Sequence, residues 1–448
     1  MGNSDIDSLV VKQLSKEKRL DFGITELGEP LLDSPLVQLG KQFVHNGSSL
    51  SYYHSLQDME DYRSRFGDPL PAFEFAGPRR KIFFNPKETT AAIVTCGGLC
   101  PGLNNVIRAI TFTLNLYGVE NVLGIPYGYR GLVQRYNHNL KVLNSYTISK
   151  IQNQGGTILG TSRGPQNIRE MVDFLVEHEI DILFTIGGDG TQKGAMALCD
   201  EITKRDLKIS LIGIPKTIDN DLNFLEKTFG FGTAVEAARE AIQRVHTETL
   251  SLRNGIGIVK LMGRDSGYIA AQAALASMDV NICLVPEIDF ELEGKQGLFA
   301  CIEHRLTSKG HCLIAVAEGA GQKHLPATGK TDASGNKKYS DIGTFLVDEI
   351  QRNFQDHPHE PTTRYVDPSY LIRSLPASAE DGVFCLRLGQ SAVHAAMAGK
   401  TRMLTGYWSR IFTHVPMDYT VAARKKIHPD SLFWQSVLEA TRQPRDMS

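Results

Sequence analysis

Residues 182–191 read Ile-Leu-Phe-Thr-Ile-Gly-Gly-Asp-Gly-Thr. The first five, apolar or β-branched without polar alternation, predict a strand buried on both faces, and the two glycines end it. A helical pattern, Thr191–Lys204, follows at once. A strand that is apolar on both sides needs cover on both sides, so a helix returning after it implies a parallel α/β sheet. The rhythm recurs along the chain. Strands are predicted at Ala91–Thr95, Ile209–Ile214, Gly257–Leu261, Ile282–Val285 and Cys312–Val316, and helices at Asn104–Asn115, Thr233–His246 and Ser266–Ser277. In such sheets ligands gather at the carboxyl ends of the strands, and the distinctive motifs of this chain fall there.

The chain has 448 residues, 42% hydrophobic and 22% charged, which suggests two or three domains with sizeable cores. A formal net charge of −2 gives no overall basic field for nucleic acid or an acidic membrane. No apolar run approaches the ~20 residues of a membrane span. The N-terminus has no signal-peptide core, and Ile6 stands where a myristoylation motif needs Ser or Thr. Seven cysteines without a CxxC pair suit a reducing compartment. A cytoplasmic protein is expected, with Cys96 and Cys100 as small buried thiols in preference to zinc ligands. Residues 1–88, charged and irregular, read as an extension wrapping the core or reaching a neighbouring subunit. Gly319–Asp341, polar and Gly-rich, reads as a surface loop or hairpin.

In Gly187-Gly188-Asp189-Gly190-Thr191 the glycines allow a polyphosphate to approach backbone N–H groups at a helix N-terminus. Gly190 removes any side chain from its path, Thr191 is expected to cap the helix, and Asp189 to hold Mg²⁺ directly or through water. The motif is shared by several kinase families, NAD and diacylglycerol kinases among them. Thr95–Gly102 (TCGGLCPG) is a second candidate anion loop, and it is not a GxxxxGK[ST] loop. Pro215–Asp221 (PKTIDND) sets two carboxylates after a strand with a lysine just upstream. Phosphoryl transfer needs a base for the acceptor hydroxyl and cations to screen the moving group. Asp219 fits the base, Lys216 the cation and Thr217 a donor to the phosphoryl group, with Asp221 in support or as a partner of Mg²⁺-bound water. Arg264 and Glu318 follow further strands, and Arg364 and Arg373, nine apart, could clamp a phosphomonoester.

Taken in order, CGGLCPGLN, TSRGPQ, GGDGT, PKTIDND, KLMGRDSG, AEG and YLIR resemble the 6-phosphofructokinase family over roughly Thr90–Gly399. The N-terminal extension, Lys216 and the DPSYLIR form resemble its long ATP-dependent branch, found in kinetoplastids and plants. The resemblance implies two Rossmann-like parallel-sheet α/β domains, an N-terminal extension and a C-terminal helical tail. The expected divisions are 1–88, a nucleotide domain over 89–230 completed by part of 375–410, a sugar-phosphate domain over 231–400, and a tail over 401–448. Implied nucleotide contacts are Gly98, Arg163, Gly164, Gly188, Asp189, Gly190 and Thr191, with Mg²⁺ at Asp189. Fructose 6-phosphate would lie among Thr217, Ile218, Asp219, Met262, Gly263, Arg264, Glu318, Tyr370, Leu371, Ile372 and Arg373. Arg364 would reach the 6-phosphate from a neighbouring subunit of a homotetramer, and a nucleotide effector such as AMP is a further implied partner.

Four positions depart from the bacterial regulatory enzymes, which have Asp, Gly, His and Arg where Leu99, Lys216, Tyr370 and Gly255 stand. Arg108 and Glu287 match positions in the bacterial effector pocket, while Arg253 could substitute for the cross-subunit arginine that Gly255 replaces. Pyrophosphate-dependent members carry Asp after GGD, where its charge would repel an α-phosphate; Gly190 leaves room, so ATP is expected. Lys216 is shared with pyrophosphate enzymes, which keeps a pyrophosphate-dependent phosphotransferase as the alternative. A non-catalytic regulatory subunit would be expected to lack Asp189 or Asp219, and NAD kinase accounts for GGDGT but not for PKTIDND.

Overall fold

A computed structural model describes residues 19–331, 338–422 and 424–448; the first part of the expected extension and the middle of the 319–341 excursion lie outside them. Residues 19–230 supply β1 (Ser49–Ser51), β2 (Ala72–Phe75), β3 (Thr90–Thr95), β4 (Asn121–Ile125), β5 (Lys141–Val142), β6 (Ile182–Gly187) and β7 (Ser210–Pro215). Their helices are α1 (Leu56–Phe66), α2 (Leu103–Tyr117), α3 (Ile168–Glu177) and α4 (Asp189–Lys204). Phe231–Arg373 follows with α5 (Phe231–Leu250), β8 (Gly255–Leu261), α6 (Tyr268–Ser277), β9 (Ile282–Leu284), α7 (Leu298–Lys309), β10 (His311–Ala317), α8 (Ile342–Asn353) and β11 (Thr362–Val366). The chain ends with α9 (Ala379–Met397), β12 (Met403–Trp408), β13 (Ile411–Pro416), α10 (Met417–Thr420) and α11 (Leu432–Thr441). It forms two compact units, one from 19–230 and Ser374–Arg424, the other from Phe231–Arg373 and Lys425–Ser448.

The first unit is built on a sheet in the order β1-β2-β13-β12-β7-β6-β3-β4-β5. Strands β12, β7, β6, β3 and β4 are parallel, and every residue of β3, β6 and β7 is buried, as both-sided helical cover requires. Met171, Leu175, Leu198 and Ile202 of α3 and α4 pack with Val94, Leu183 and Leu211 of the strands. Two strands from the expected extension, β1 and β2, join this sheet beside β13. Register decides where the loops go. Thr95 lies opposite Ile186, and Pro215 opposite Gly187, so the loops after β3, β6 and β7 leave one sheet edge side by side.

The second unit holds a four-stranded parallel sheet, β9-β10-β8-β11, with Ile256, Ile258, Ile314 and Val316 packed against Leu298, Ile302, Leu346 and Ile350 of α7 and α8. Leu261 pairs with Ala317, and Val259 with Val366, so here too three loops share one edge: 262–267, 318–319 and 367–373.

Candidate active site

The first unit's edge is assembled around β6. A Cβ on Gly187 would stand 2.1 Å from Thr191 Oγ1, so only glycine lets α4 start this tightly. The helix takes Gly188 as its N-cap and Asp189 as its first residue. Thr191 is therefore inside the first turn and not the cap expected of it; its backbone carbonyl accepts from Tyr129 Oη at 2.7 Å. Around Gly190 there is open space, with no atom within 4 Å of an added Cβ. Lys216 is buried and its Nζ donates to Gly98 O at 2.7 Å, while its N–H donates to Gly187 O at 3.0 Å. One residue thus links the loops after β3, β6 and β7. Thr161 Oγ1 donates to Gly97 O at 2.7 Å and Gly97 N to Ser162 O at 3.0 Å, placing the exposed Arg163 and the half-buried Gly164 beside the same loop.

The carboxylates of PKTIDND are ordered by their own turn. Asn220 has φ 51°, and its side-chain oxygen accepts from Thr228 N at 3.0 Å. The Thr217 hydroxyl accepts from Asp219 N at 3.1 Å and donates to Asp221 Oδ1 at 3.0 Å, so in this arrangement its proton is engaged by Asp221. Burial raises the Asp221 pKa above the ordinary carboxylate value, against the pull of Arg424 and Thr217. Asp189 Oδ2 lies 3.0 Å from Lys193 Nζ and 3.7 Å from Arg424 Nη2, and Arg424 Nε is 3.9 Å from Asp221 Oδ2. Asp189 and Asp221 are therefore close enough to share one cationic group. Arg424 and the fully buried Gln192, whose amide donates to Gly187 O at 2.9 Å and to Ile214 O at 3.3 Å, were not singled out from the sequence. Gln192 lay within reach as the second residue after GGDG. Arg424 carried no local signal, since it arrives over two hundred residues later through an isolated bridge to Leu222. Cys96 and Cys100 are buried, and burial pushes both thiols up to about 12.

In the second unit Glu318 N donates to Leu261 O at 2.9 Å and Gly319 N to Gly263 O at 3.0 Å, joining the Arg264 and Glu318 loops. A Cβ on Gly319 would fall 1.8 Å from Arg264 O, which accounts for glycine at that contact. Burial raises the Glu318 pKa, with Arg264 the leading opposing charge, followed by Lys260. Arg373 lies over the ring of Tyr370 at 4.7 Å, with Tyr370 and Leu371 both about 70% exposed and Ile372 in the core. Arg364 differs. It sits in the body of β11 opposite Gly257, four residues before Leu261, or about 13 Å along the strand, and donates to Thr363 O. Register thus sets Arg364 back from the loop edge that carries Arg373. Glu287 accepts from Gly267 N at 3.1 Å and Ile427 N at 3.0 Å, while Arg108 of the first unit donates to Ile148 O. Both positions matched to the bacterial effector pocket are thus engaged with backbone of their own unit.

Fold and loops together define a parallel-sheet α/β protein whose Gly-rich and acidic loops converge at strand carboxyl ends. The Phosphofructokinase family pattern matches residues 90–396, and the chain belongs to that family. An ATP-dependent 6-phosphofructokinase from Borreliella burgdorferi is 48% identical over 447 residues, covering 96% of this chain and 99% of that one. One from Trypanosoma cruzi is 47% identical over 373 residues, covering 82% and 76%. Among solved structures, a pyrophosphate-dependent phosphofructokinase from Marinobacter aquaeolei covers 79% of this chain and 91% of its own at a TM-score of 0.65; with 20% identity it speaks to fold alone. Among the described residues no helix is long and apolar enough to cross a membrane.

Proposed function

We propose that this chain is an ATP-dependent 6-phosphofructokinase, transferring the γ-phosphoryl group of ATP to the 1-hydroxyl of fructose 6-phosphate. The observation that carries the reading is the donor edge: open space at Gly190 beside Asp189, with Lys216 and the TIDND turn on adjoining loops. ATP needs that space for its α-phosphate, and the names of the relatives agree. Gly98, Arg163, Gly164 and Gly188–Thr191 would cradle the nucleotide. Asp189 and Asp221, two hard oxygen donors already sharing one cation, fit Mg²⁺, which when bound screens the phosphate oxygens.

Asp219 takes the proton of the 1-hydroxyl. Lys216 screens charge on the moving group, and Thr217 donates to it once released from Asp221. Arg264, Glu318, Tyr370 and Arg373, with Met262 and Gly263, hold the sugar phosphate. Arg364, exposed and away from its own loop edge, suits the neighbouring subunit's 6-phosphate in a homotetramer, with AMP as a candidate effector and the cytoplasm as the compartment. The deciding experiment is initial rates of fructose 6-phosphate phosphorylation with ATP and with pyrophosphate. ATP should support turnover and pyrophosphate should not; the reverse would replace the reading with a pyrophosphate-dependent phosphotransferase.

A further inference from the structure

Lys260 is the penultimate residue of β8, two positions before Met262. Its side chain is 12% exposed, and its Nζ stands 2.8 Å from Asp367 Oδ2 and 3.0 Å from Asp341 Oδ2. Each carboxylate does a second job. Asp367 is the first residue past β11 and opens the segment that carries Tyr370 and Arg373; its Oδ1 accepts from Ser369 N at 3.0 Å and so shapes that turn. Asp341 is the N-cap of α8, its Oδ1 accepting from Gly343 N at 2.9 Å and Thr344 N at 3.2 Å, and it also accepts from Tyr365 Oη at 3.1 Å. One ammonium therefore grips the strand that delivers Arg264, the loop that delivers Arg373, and a helix start.

We propose that Lys260 is a positioning residue for the acceptor loops, holding the 367–373 segment against the 262–264 segment so that the sugar phosphate meets preset partners. The inference rests on the reading of the second unit as the acceptor half. A surface pair would contribute little to either stability or binding, but this lysine is mostly enclosed and bridges two carboxylates at once. Without it, Asp341 and Asp367 face each other as like charges with no cation between them. Their repulsion acts on the loop that begins at Asp367, and the added negative potential opposes a phosphorylated, anionic ligand. The directions of titration agree: Asp367 and Asp341 are both held below the ordinary carboxylate value, burial being outweighed by Lys260 together with hydrogen bonds from Ser369 to Asp367 and from Thr344 and Tyr365 to Asp341.

The test is steady-state kinetics on the full chain with each substrate varied. Lys260→Met should raise KM for fructose 6-phosphate about tenfold or more, leave KM for ATP within about twofold, and lower kcat by a smaller factor than KM rises. Lys260→Arg, whose fork can reach both carboxylates, should recover most of the loss. If Lys260→Met does not fold, Asp367→Asn keeps the Lys260–Asp341 pair and should still raise KM for the sugar phosphate selectively. An unchanged KM for fructose 6-phosphate in the folded variant, or equal rises in both KM values with no recovery by arginine, overturns the proposal. Wild-type protein that fails to phosphorylate fructose 6-phosphate overturns the acceptor reading instead, so the two failures are told apart.

Discussion

At the scale of single residues, two substitutions separate chemistry from scaffolding. Asp219→Ala should lower kcat by roughly 10²–10⁴, the usual loss on removing a general base, while nucleotide binding persists; near-normal turnover would strip Asp219 of that role. Gly190→Asp probes the donor. Because an added Cβ there meets nothing within 4 Å, the fold should accept it, and an acid in the first turn of α4 suits the helix dipole, so Tm should hold or rise slightly. KM for ATP should nevertheless rise about tenfold or more, since in the proposed site the new carboxylate would face polyphosphate. A variant with unaltered ATP kinetics would show that Gly190 does not border the nucleotide. Residues of this kind were legible because each motif is contiguous and follows a buried strand. Arg424 was not, because only closure of the chain brings it beside Asp189 and Asp221.

At the scale of elements, β11, with alternating exposed and half-buried residues, offered no apolar run to read, but β3, β6, β7, β8 and β10 were readable because burial on both faces leaves a nearly uninterrupted one. The β12–β13 hairpin was not, and two physical reasons account for it. Its turn is Ser409-Arg410, both with positive φ (46° and 65°), where Asn-Gly would have announced a hairpin. Its partner strand carries His414, fully buried, whose Nδ1 donates to Glu74 Oε2 at 3.0 Å; Glu74 also takes Lys400 at 2.9 Å and Arg79 at 2.8 Å. Burial lowers the His414 pKa against the pull of Glu74, and Lys400 and Arg79 are the permanently cationic partners of Glu74. Nearby, burial pushes His394 down to about 3 while its Nδ1 accepts from Tyr117 Oη at 2.9 Å. As pH falls below about 6.5 the unfolded chain binds these protons first, so stability drops until the folded pKa is reached. Glu74, depressed by its partners, adds its own loss only below the ordinary carboxylate range. The decline between pH 7 and pH 5 therefore belongs to the histidines. His394→Gln, which keeps an acceptor for Tyr117, should shrink the stability difference between those pH values by about 1–2 kcal/mol, read from thermal or urea melts. An unchanged pH slope would mean that His394 is not held neutral.

At the scale of the whole molecule, sequence order and spatial order part company twice, at Ser374 and again at Lys425. The first return gives the first unit α9 and the hairpin; the second gives the second unit its last helix and a terminal segment. That segment finishes a sheet edge without adding a strand. Gln443 Oε1 accepts from Cys283 N at 2.6 Å, its Nε2 donates to Cys283 O at 3.2 Å, and Met447 O accepts from Glu291 N at 2.7 Å. Trp434, Val437, Leu438 and Met447 bury apolar surface in the same unit. At about 1.5–3 kcal/mol for each large side chain, their sum is comparable with the 5–15 kcal/mol that holds a typical domain folded. Removing residues 432–448, which keeps the Ile427 contact to Glu287, should therefore unfold the second unit selectively. Calorimetry should show a new transition at lower temperature, and fructose 6-phosphate should no longer raise Tm while ATP with Mg²⁺ still does. A single transition unshifted from that of the full chain would mean that the second return is dispensable and that the edge at β9 closes by other means.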